Sequence, residues 1–352
     1  MADLLVAGAG MAGLAAAARA RELDASVVVY EKGDRAGGSM LLSSGFIWRH
    51  REFEDFRAEC PGGDPELQRL VYDHLDSALA WLEELGAPVL EQETGNPLTS
   101  GWRFDTQALT DALVARAGDV RFGEALSELP DDGTPVVLAT GGFQCDRALL
   151  REHVTPEAEH VLIRSNPWSA GDGLRLGVAA GGALSDGMGE FYGRNMPAPP
   201  AEVGPEDYVR LAQLYARHAR VENSRGEPFE TQTWSEIDVV QWTSRQPGAE
   251  ARYVVADSAL EEHVRERTVG EMIEAAERAG APVERRDGTT SVSVVAAVTT
   301  TLGGLRIDAS GRVAGDLFAA GADAGGISTG GYSSGLAAAL VFGRIAAESA
   351  LA

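Results

Sequence analysis

Two stretches of this sequence carry residue types at spacings that could support chemistry. VTTTLGGLRID (298–308) sets three threonines beside a double glycine, and GGYSSGL (330–336) places a tyrosine among serines and glycines. A glycine pair lets a backbone approach a flat ligand closely, because no Cβ keeps it away. Threonine hydroxyls donate and accept hydrogen bonds but do not titrate near neutral pH. A phenol, such as that of Tyr332 or of Tyr192 in GEFYGRNMPAP, can polarise a carbonyl or move a proton.

The N-terminal segment has the residues of a dinucleotide-binding turn. The short apolar runs DLLVA and SVVVY predict buried parallel strands, and the segment between them predicts a helix. In the turn between strand and helix, Gly8 permits a tight bend, Gly10 admits a pyrophosphate and Gly13 lets helix and strand pack closely. Glu31 follows the second strand, where an acid accepts hydrogen bonds from ribose hydroxyls. An adenine dinucleotide is therefore expected, the alternative being a glycine-rich packing turn.

Further glycine-rich segments favour FAD over NAD. DRAGGSMLLSSGF (34–46) comes soon after the predicted strand that leads to Glu31. An NAD-binding domain usually continues into a helix at this point. Three more segments are ATGG (139–142), GDG (171–173) and AAGAD (319–323). A flavin dinucleotide is long and needs backbone amides along its pyrophosphate, ribityl chain and ring. The predicted cofactor is therefore FAD.

These blocks, in this order, resemble the FAD-dependent succinate dehydrogenase/fumarate reductase flavoprotein family, and in character its 3-ketosteroid Δ1-dehydrogenase-like members. The quoted blocks are AGAGMAGLAAA, GGSMLLSSGFIW, VLATGGF, SAGDGLRLGVAAGGAL, TLGGLRID, LFAAGAD and GLAAALVFGRIAA. The resemblance implies an α/β protein, with a Rossmann-like FAD-binding domain split in sequence by an inserted α+β capping domain that closes over the isoalloxazine. We expect the FAD-binding domain to comprise residues 1–145 and 293–352, and the capping domain residues 146–292.

The resemblance also implies the FAD contacts. Ser39 stands where covalent members have a linking histidine, so non-covalent FAD is expected. Asp323 replaces a longer acid or an amide and can still accept from ribityl hydroxyls, whereas Asp172 could instead be only a turn former. Gly303 and Gly304 are expected to bring backbone against the flavin ring. The expected FAD-binding residues are Gly8, Ala9, Gly10, Met11, Ala12, Gly13, Glu31, Lys32, Gly37, Gly38, Ser39, Ser43, Ser44, Gly45, Ala139, Thr140, Gly141, Asp172, Gly321, Asp323, Gly335 and Leu336.

Departures from the family pattern indicate the substrate. Thr300 stands where dicarboxylate members carry a histidine, Pro228 replaces an arginine, and GGYSSGL lacks an arginine that clamps a carboxylate. Succinate and fumarate are therefore not the expected substrates. We expect an enzyme that dehydrogenates or reduces a carbon–carbon bond next to a carbonyl in a neutral small molecule, with hydride at flavin N5 and the proton moved by a tyrosine.

The resemblance ranks the catalytic candidates. Tyr332 is preferred because it resembles the tyrosine of the steroid dehydrogenases, although its spacing to the next glycine is shorter. Tyr192, from the expected capping domain, is the second candidate, and Thr300 is expected to line the site. For both tyrosines the alternative is a purely structural role in packing.

Composition limits the remaining classes. A net charge of -23 argues against nucleic-acid or anionic-membrane partners, which need a cationic surface. Cys60 and Cys145 are far apart, which predicts neither a disulfide framework nor a metal site and fits the cytoplasm. The expected partners are the carbonyl substrate and an electron acceptor or donor. The alternative functions are a flavin oxidase that passes electrons to oxygen, and a catalytically degenerate flavoprotein that serves as a partner or scaffold.

Overall fold

The computed structural model describes residues 2–230 and 236–352, which form two compact units. Residues 166–190 belong to unit 1, whereas the sequence-based division places them in the inserted domain. The FAD-binding domain is split in sequence, as predicted. Unit 1 comprises Met1–Asp146, Asn166–Glu190 and Thr300–Ala352, and unit 2 comprises Arg147–Ser165 and Phe191–Thr299.

Helices and strands both occur throughout the described chain. The helices are α1 (Met11–Glu22), α2 (Phe53–Glu59), α3 (Pro65–Glu84), α4 (Thr106–Ala117), α5 (Arg147–Leu149), α6 (Asp172–Ala179), α7 (Glu236–Ser244), α8 (Val269–Arg278) and α9 (Gly335–Ala350). The strands are β1 (Leu4–Ala7), β2 (Val27–Glu31), β3 (Phe46–His50), β4 (Val89–Glu91), β5 (Thr99–Phe104), β6 (Asp119–Phe122), β7 (Val136–Leu138), β8 (Leu162–Ile163), β9 (Phe191–Pro197), β10 (Ala219–Glu222), β11 (Glu250–Ala256), β12 (His263–Val264), β13 (Arg267–Thr268), β14 (Val283–Arg286), β15 (Thr289–Thr301), β16 (Arg312–Ala314) and β17 (Leu317–Ala319).

A six-stranded sheet in the order β16-β17-β7-β1-β2-β6 forms the centre of unit 1. Its strands pair in parallel, except for β16, which runs antiparallel to β17. The chain passes from β1 to β2 on one side and returns later to β7 on the other. Parallel sheets bind ligands at the carboxyl ends of strands where the order reverses in this way. The predicted α/β fold is confirmed, and the sheet places the expected ligand edge beside β1.

Small residues let the helices of unit 1 pack closely on this sheet. Half of the twelve residues of helix α1 are alanine, and nine of the twelve are buried. Gly343 of α9 lies against the backbone of Ala12, where a Cβ would collide with it. A separate three-stranded antiparallel sheet, in the order β3-β5-β4, also belongs to unit 1.

The long strand β15 organises unit 2. It lies in a sheet with the order β10-β11-β15-β14, and β8 and β9 also pair with it. Helix α8 contributes Met272 and Ile273 to an apolar core that also contains Tyr215, Tyr253 and Val292. Helix α8 begins with a capping box, in which Thr268 accepts from the Glu271 N–H and Glu271 accepts from the Thr268 N–H.

Candidate cofactor and active site

Four of the residues predicted to hold FAD lie at one edge of the parallel sheet of unit 1. Gly8 follows β1, Glu31 ends β2, Ala139 follows β7, and Gly321 lies just beyond β17. These strands are neighbours in the sheet and run in the same direction, so their carboxyl ends meet. Segments from both ends of the chain are thereby brought together at the edge where the strand order reverses.

The glycine turn after β1 is open only where a phosphate is expected. A Cβ on Gly8 would collide with the Ala139 carbonyl, and one on Gly13 with the Gly8 carbonyl. A Cβ on Gly10 would meet no atom within 4 Å. Gly10 caps α1 without any side-chain hydrogen bond, so the N–H groups at the helix start point toward this space. The turn fits a pyrophosphate, because helix N-termini favour anions.

Glu31 holds the glycine turn from the end of β2. Its carboxylate accepts from the Ala9 N–H at 2.7 Å and from the Gly33 N–H at 2.6 Å, and the residue is only 7% exposed. Each carboxylate oxygen has further lone pairs, so the predicted ribose contact remains compatible with this arrangement. The sequence pattern indicated the ribose contact but not the support that Glu31 gives to the turn.

Lys32 and Asp172, both predicted to contact FAD, form an ion pair with each other. Lys32 Nζ lies 2.8 Å from Asp172 Oδ2, and Arg175 Nη1 lies 3.7 Å from Asp172 Oδ1. Asp172 begins α6 directly after Gly171, whose φ of +82° is left-handed. Both side chains of the Lys32–Asp172 pair are about one-third or more exposed, so the pair adds little stability and its groups remain accessible to a cofactor.

Asp323 is a buried carboxyl that joins two glycine segments. It accepts from the backbone N–H of Thr140, from the Thr140 hydroxyl at 3.1 Å and from the Gly142 N–H at 3.2 Å. Burial raises the pKa of Asp323, although these hydrogen bonds act in the opposite direction. The resemblance suggested a ribityl contact here. The observed partners are groups of the ATGG segment, so Asp323 fixes that segment relative to AAGAD.

The glycine–serine segment after β2 is held by residues that the sequence analysis missed. Gly37 has a φ of +100° and donates its N–H to the Ala9 carbonyl at 2.8 Å. Asn166 donates to the Ser39 hydroxyl at 2.7 Å and to the Ser169 hydroxyl at 3.0 Å. The polar SNPWS run just before GDG was the available signal for Asn166 and Ser169.

The adjoining serines shape the entry into β3. The Ser43 hydroxyl donates to the Met40 carbonyl at 2.7 Å and accepts from the Gly45 N–H at 3.1 Å. Gly45 has a φ of +80°, and the exposed Ser44 accepts from Arg103 Nε at 3.1 Å through its carbonyl. The hydroxyl of Ser43 therefore has a local structural role in this loop.

The double glycine of VTTTLGGLRID packs against protein backbone. A Cβ on Gly303 would collide with the backbone of Met188, and one on Gly304 with the carbonyl of Asp323. Both glycines are buried. Neighbouring segments of unit 1 therefore require both glycines, and the expected approach of their backbone to the flavin ring stays a prediction.

Tyr332 lies at the start of α9, beside the predicted FAD contacts Gly335 and Leu336. Its hydroxyl accepts from the Gly335 N–H at 3.4 Å, and its ring packs edge-on against Trp48 with centroids 6.3 Å apart. Ser334 caps the same helix by accepting from the Ala337 N–H at 3.3 Å. Gly335 is exposed, so the first turn of α9 is accessible. The structure thus brings Tyr332 together with part of the predicted cofactor site.

The other two catalytic candidates are placed differently. The Thr300 hydroxyl donates to the carbonyl of its neighbour Thr301 at 3.4 Å, and the residue is half-buried in β15. Tyr192 lies in β9 of unit 2, where the Arg194 guanidinium stands 4.7 Å from its ring centroid. Neither position by itself assigns a catalytic role.

Neither a metal-binding cluster nor a membrane-spanning helix occurs in the part of the chain that the structure describes. In those residues, no group of three or more histidine, cysteine, aspartate or glutamate side chains could hold a metal ion. No helix there is both long and apolar enough to cross a membrane.

The sheet edge, the glycine turn and the carboxylates described above define a dinucleotide-binding flavoprotein site. The chain belongs to the FAD binding domain family, whose model matches residues 3–131 and 102–336. The match confirms the predicted family and FAD as the predicted cofactor. The residues of unit 1 fit that cofactor, because the space before Gly10 is open and the carboxylates lie at the adjoining strand ends.

Known relatives agree with this assignment. A fumarate reductase (cytochrome) from Shewanella frigidimarina is 26% identical in an alignment of 234 residues that covers 52% of this chain and 40% of the relative. The chain thus matches less than half the length of that relative. The structure of an open flavocytochrome c3 fumarate reductase is similar with a TM-score of 0.75 and 19% identity, over 99% of this chain and 78% of that one.

Steroid dehydrogenase structures share the fold over nearly their whole length. A 3-ketosteroid-Δ4-(5α)-dehydrogenase from Rhodococcus jostii RHA1, in complex with 4-androstene-3,17-dione, gives a TM-score of 0.73 at 20% identity and covers 100% of this chain and 97% of its own. A 3-ketosteroid Δ1-dehydrogenase from Sterolibacterium denitrificans gives 0.72 at 15% identity, over 99% of both chains. At these identities the likeness establishes the fold.

Proposed function

We propose that this protein is an FAD-dependent oxidoreductase that dehydrogenates or reduces the carbon–carbon bond next to a carbonyl in a neutral small molecule. When bound, FAD supplies the acceptor or donor of the hydride. The observation that carries the proposal is the position of Tyr332. Its hydroxyl lies 3.4 Å from the Gly335 N–H, at the start of the helix whose first residues are predicted to contact the cofactor.

Tyr332 is suited to polarise a carbonyl. A phenol oxygen that accepts one hydrogen bond can still donate its own hydrogen to another acceptor. The edge-on contact with Trp48 restricts where the ring can turn. A carbonyl that accepts from this hydroxyl has more acidic α-hydrogens, which is what removal or return of an α-proton requires. The residue therefore has the chemistry and the support for a proton-transfer role.

The segment around Tyr332 is polar without being charged. GGYSSGL has no ionisable side chain other than the phenol, and the buried hydroxyls of Thr329 and Ser333 have no hydrogen-bond partner within the described residues. Uncharged hydroxyls suit a ketone oxygen. A dicarboxylate would need cationic partners to compensate for the loss of its hydration, and this segment provides none. The steroid ketone bound by the Rhodococcus relative motivates a test with cyclic ketones.

Anaerobic flavin spectroscopy tests the proposal. The oxidised protein is mixed with saturated cyclic ketones, and the dithionite-reduced protein with the corresponding enones, with succinate and fumarate as comparison compounds. We expect bleaching by a ketone or recovery of colour with an enone, and no response to the dicarboxylates. An ordinary rate with fumarate would contradict the proposed substrate class.

The same experiment separates the two alternative functions. A flavin oxidase would be bleached by its substrate and would recover its colour rapidly in air with formation of hydrogen peroxide. A degenerate flavoprotein would respond to dithionite but to none of the organic compounds. A panel that leaves the flavin oxidised throughout would therefore favour the partner or scaffold role.

A further inference from the structure

The segment that leads into Tyr332 is largely buried although it forms neither helix nor strand. It comprises residues 326–331, with the sequence GISTGG, and we call it the tyrosine loop. Ile327, Ser328 and Thr329 within it are all buried. Buried backbone N–H and C=O groups need hydrogen-bond partners, and here a helix or a sheet does not provide them. The groups that bind this loop therefore fix the course of the chain into Tyr332.

The turn between α2 and α3, residues 60–64, binds the backbone of the tyrosine loop. The Asp64 N–H donates to the Gly326 carbonyl at 2.8 Å, and the Gly62 N–H donates to the Thr329 carbonyl at 3.1 Å. Both hydrogen bonds join main-chain groups directly, so the two loops lie side by side. The α2–α3 turn thus supports the tyrosine loop from Gly326 to Thr329.

Gln68 of α3 links the two loops through its side chain. The residue is fully buried, and its Nε2 donates to the Cys60 carbonyl at 2.9 Å and to the Ile327 carbonyl at 2.8 Å. The amide has two N–H donors, so each loop receives one of them. Gly63 permits this contact, because a Cβ there would collide with Gln68 Nε2 and with the Ile327 carbonyl. An apolar side chain at position 68 would leave both carbonyls without this donor.

Arg57 of α2 fixes which way the Gln68 amide faces. Its Nη1 donates to Gln68 Oε1 and, at 2.6 Å, to the Gly63 carbonyl, and its Nη2 donates to the Pro61 carbonyl at 3.2 Å. A guanidinium carries donors and no acceptor, so the amide must present its oxygen to Arg57. The NH2 group of Gln68 is then directed at the two loop carbonyls. Arg57 and Gln68 therefore act together at the junction of the loops.

The end of the tyrosine loop is held by other groups. The Gly330 N–H donates to Glu190 Oε2 at 2.7 Å, and the φ of Gly330 is left-handed at +87°. A Cβ on Gly331 would collide with the Glu59 carbonyl, so the backbone lies close to this carbonyl. The loop is thus supported up to the residue before Tyr332, and a shift of its backbone would move the phenol.

We propose that Gln68 is a positioning residue, which holds the tyrosine loop so that the Tyr332 hydroxyl meets a substrate carbonyl at hydrogen-bond distance. The proposal rests on the proposed function of Tyr332. Hydrogen bonds weaken steeply when their distance and angle depart from the preferred values. A misplacement of about 1 Å can slow an enzymatic reaction by roughly a hundredfold. Gln68 therefore affects the reaction through the loop, by placing a group that another residue carries.

Gln68→Met in the full-length, FAD-loaded protein tests this role, because methionine has a similar length and volume but donates no hydrogen bond. The probe is the saturated cyclic ketone that bleaches the unmodified protein fastest. In stopped-flow experiments the limiting rate of flavin reduction should fall roughly ten- to a hundredfold. The ketone concentration that gives half of this rate should change by less than about threefold, because the lost interaction acts in the transition state. Gln107→Met is the matched control, since Gln107 is exposed on α4 and bonds to Asp111, and it should leave both quantities unchanged.

A double-mutant cycle shows whether Gln68 acts through the phenol. Once Tyr332→Phe has removed the hydroxyl, its position no longer matters. Adding Gln68→Met to Tyr332→Phe should therefore slow flavin reduction by no more than about threefold further. If the two substitutions instead multiplied in full, Gln68 would support the fold in general and not the position of Tyr332.

Hydrogen exchange gives a readout that needs no substrate. The N–H groups of Gly62 and Asp64 are bonded to the tyrosine loop and that of Gly330 to Glu190, so a loosened loop should expose them. In Gln68→Met their exchange should accelerate roughly tenfold or more, while the amides of helix α1 keep their rates. If Gln68→Met does not fold, Arg57→Lys is the second variant. Lysine keeps the charge but lacks the planar fork, so the same changes should appear at smaller size.

Three results would overturn the proposal. These are unchanged exchange in the tyrosine loop, accelerated exchange with a reduction rate within about threefold of the unmodified protein, and full multiplication in the double-mutant cycle. A normal reduction rate in Tyr332→Phe would overturn the role proposed for Tyr332 and, with it, the effect of Gln68 on the rate. That failure is distinguishable, because exchange in Gln68→Met would still be accelerated.

Discussion

The open space before Gly10 leads to a direct test of the cofactor position. In Gly10→Ala the added methyl group would meet no protein atom within 4 Å, and the backbone at this position, with φ -82° and ψ -171°, suits alanine. The apo-protein should therefore keep its stability or gain about 0.4–1 kcal/mol from the reduced freedom of the unfolded chain. The methyl group would occupy the space that the pyrophosphate is expected to fill.

The effect on FAD follows from the helix N-terminus. Displacing a phosphate removes at least one charged hydrogen bond, worth about 1.5–3 kcal/mol, from the free N–H groups at the start of α1. FAD affinity should then fall roughly ten- to a hundredfold for each bond lost. Gly13→Ala is the contrasting variant, because its methyl group collides with the Gly8 carbonyl. It should destabilise the apo-protein by about 1–3 kcal/mol through overpacking.

Urea unfolding of both apo-proteins and fluorescence titration with FAD measure these quantities separately. The expected pattern is a stable Gly10→Ala variant with weak FAD binding and an unstable Gly13→Ala variant. Normal FAD affinity in Gly10→Ala would refute the placement of the pyrophosphate before Gly10. If apo Gly10→Ala were as unstable as apo Gly13→Ala, the conclusion that the space before Gly10 is open would be refuted.

Four further predictions concern single residues. Glu31→Gln replaces a carboxylate that accepts from two backbone N–H groups by an amide. The stability of the apo-protein should fall by about 1–3 kcal/mol in urea unfolding, and FAD affinity should also decrease. A loss of affinity without a loss of stability would contradict the conclusion that Glu31 supports the glycine turn. Tyr332→Phe should slow flavin reduction in stopped-flow experiments by roughly a hundred- to ten-thousandfold with FAD still bound, and a rate within a few-fold of the unmodified protein would exclude the phenol from the mechanism. Acid precipitation should release the yellow colour, since Ser39 offers no imidazole for a covalent link, and colour retained in the pellet would contradict this. Burial raises the pKa of Glu236 in the folded protein, so the unfolded chain releases this proton at a lower pH than the folded protein does. In thermal melts, the stability of the unmodified protein should therefore fall relative to that of Glu236→Gln as the pH rises from 4.5 to about 7. Parallel pH profiles of the two proteins would argue against the raised pKa.

The sequence by itself determined the fold class, the family and the cofactor. Gly8, Gly10 and Gly13 occupy a turn whose spacing follows from local backbone geometry, and Glu31 follows at the end of the next strand, so a single βαβ unit sufficed to recognise a dinucleotide site. The additional glycine segments then indicated FAD. These features were accessible because each depends on residues that are close together in the chain.

Only the tertiary structure decided which groups these residues contact. Gly303 and Gly304 have the composition of a ligand-binding segment, yet a Cβ on Gly303 would collide with the backbone of Met188 and one on Gly304 with that of Asp323. Asn166 was missed because its contacts with Ser39 depend on chain segments far apart in sequence. The spacing of residues in a sequence indicates local backbone geometry. Burial and long-range hydrogen bonds depend on the folded chain, so the spacing does not predict them.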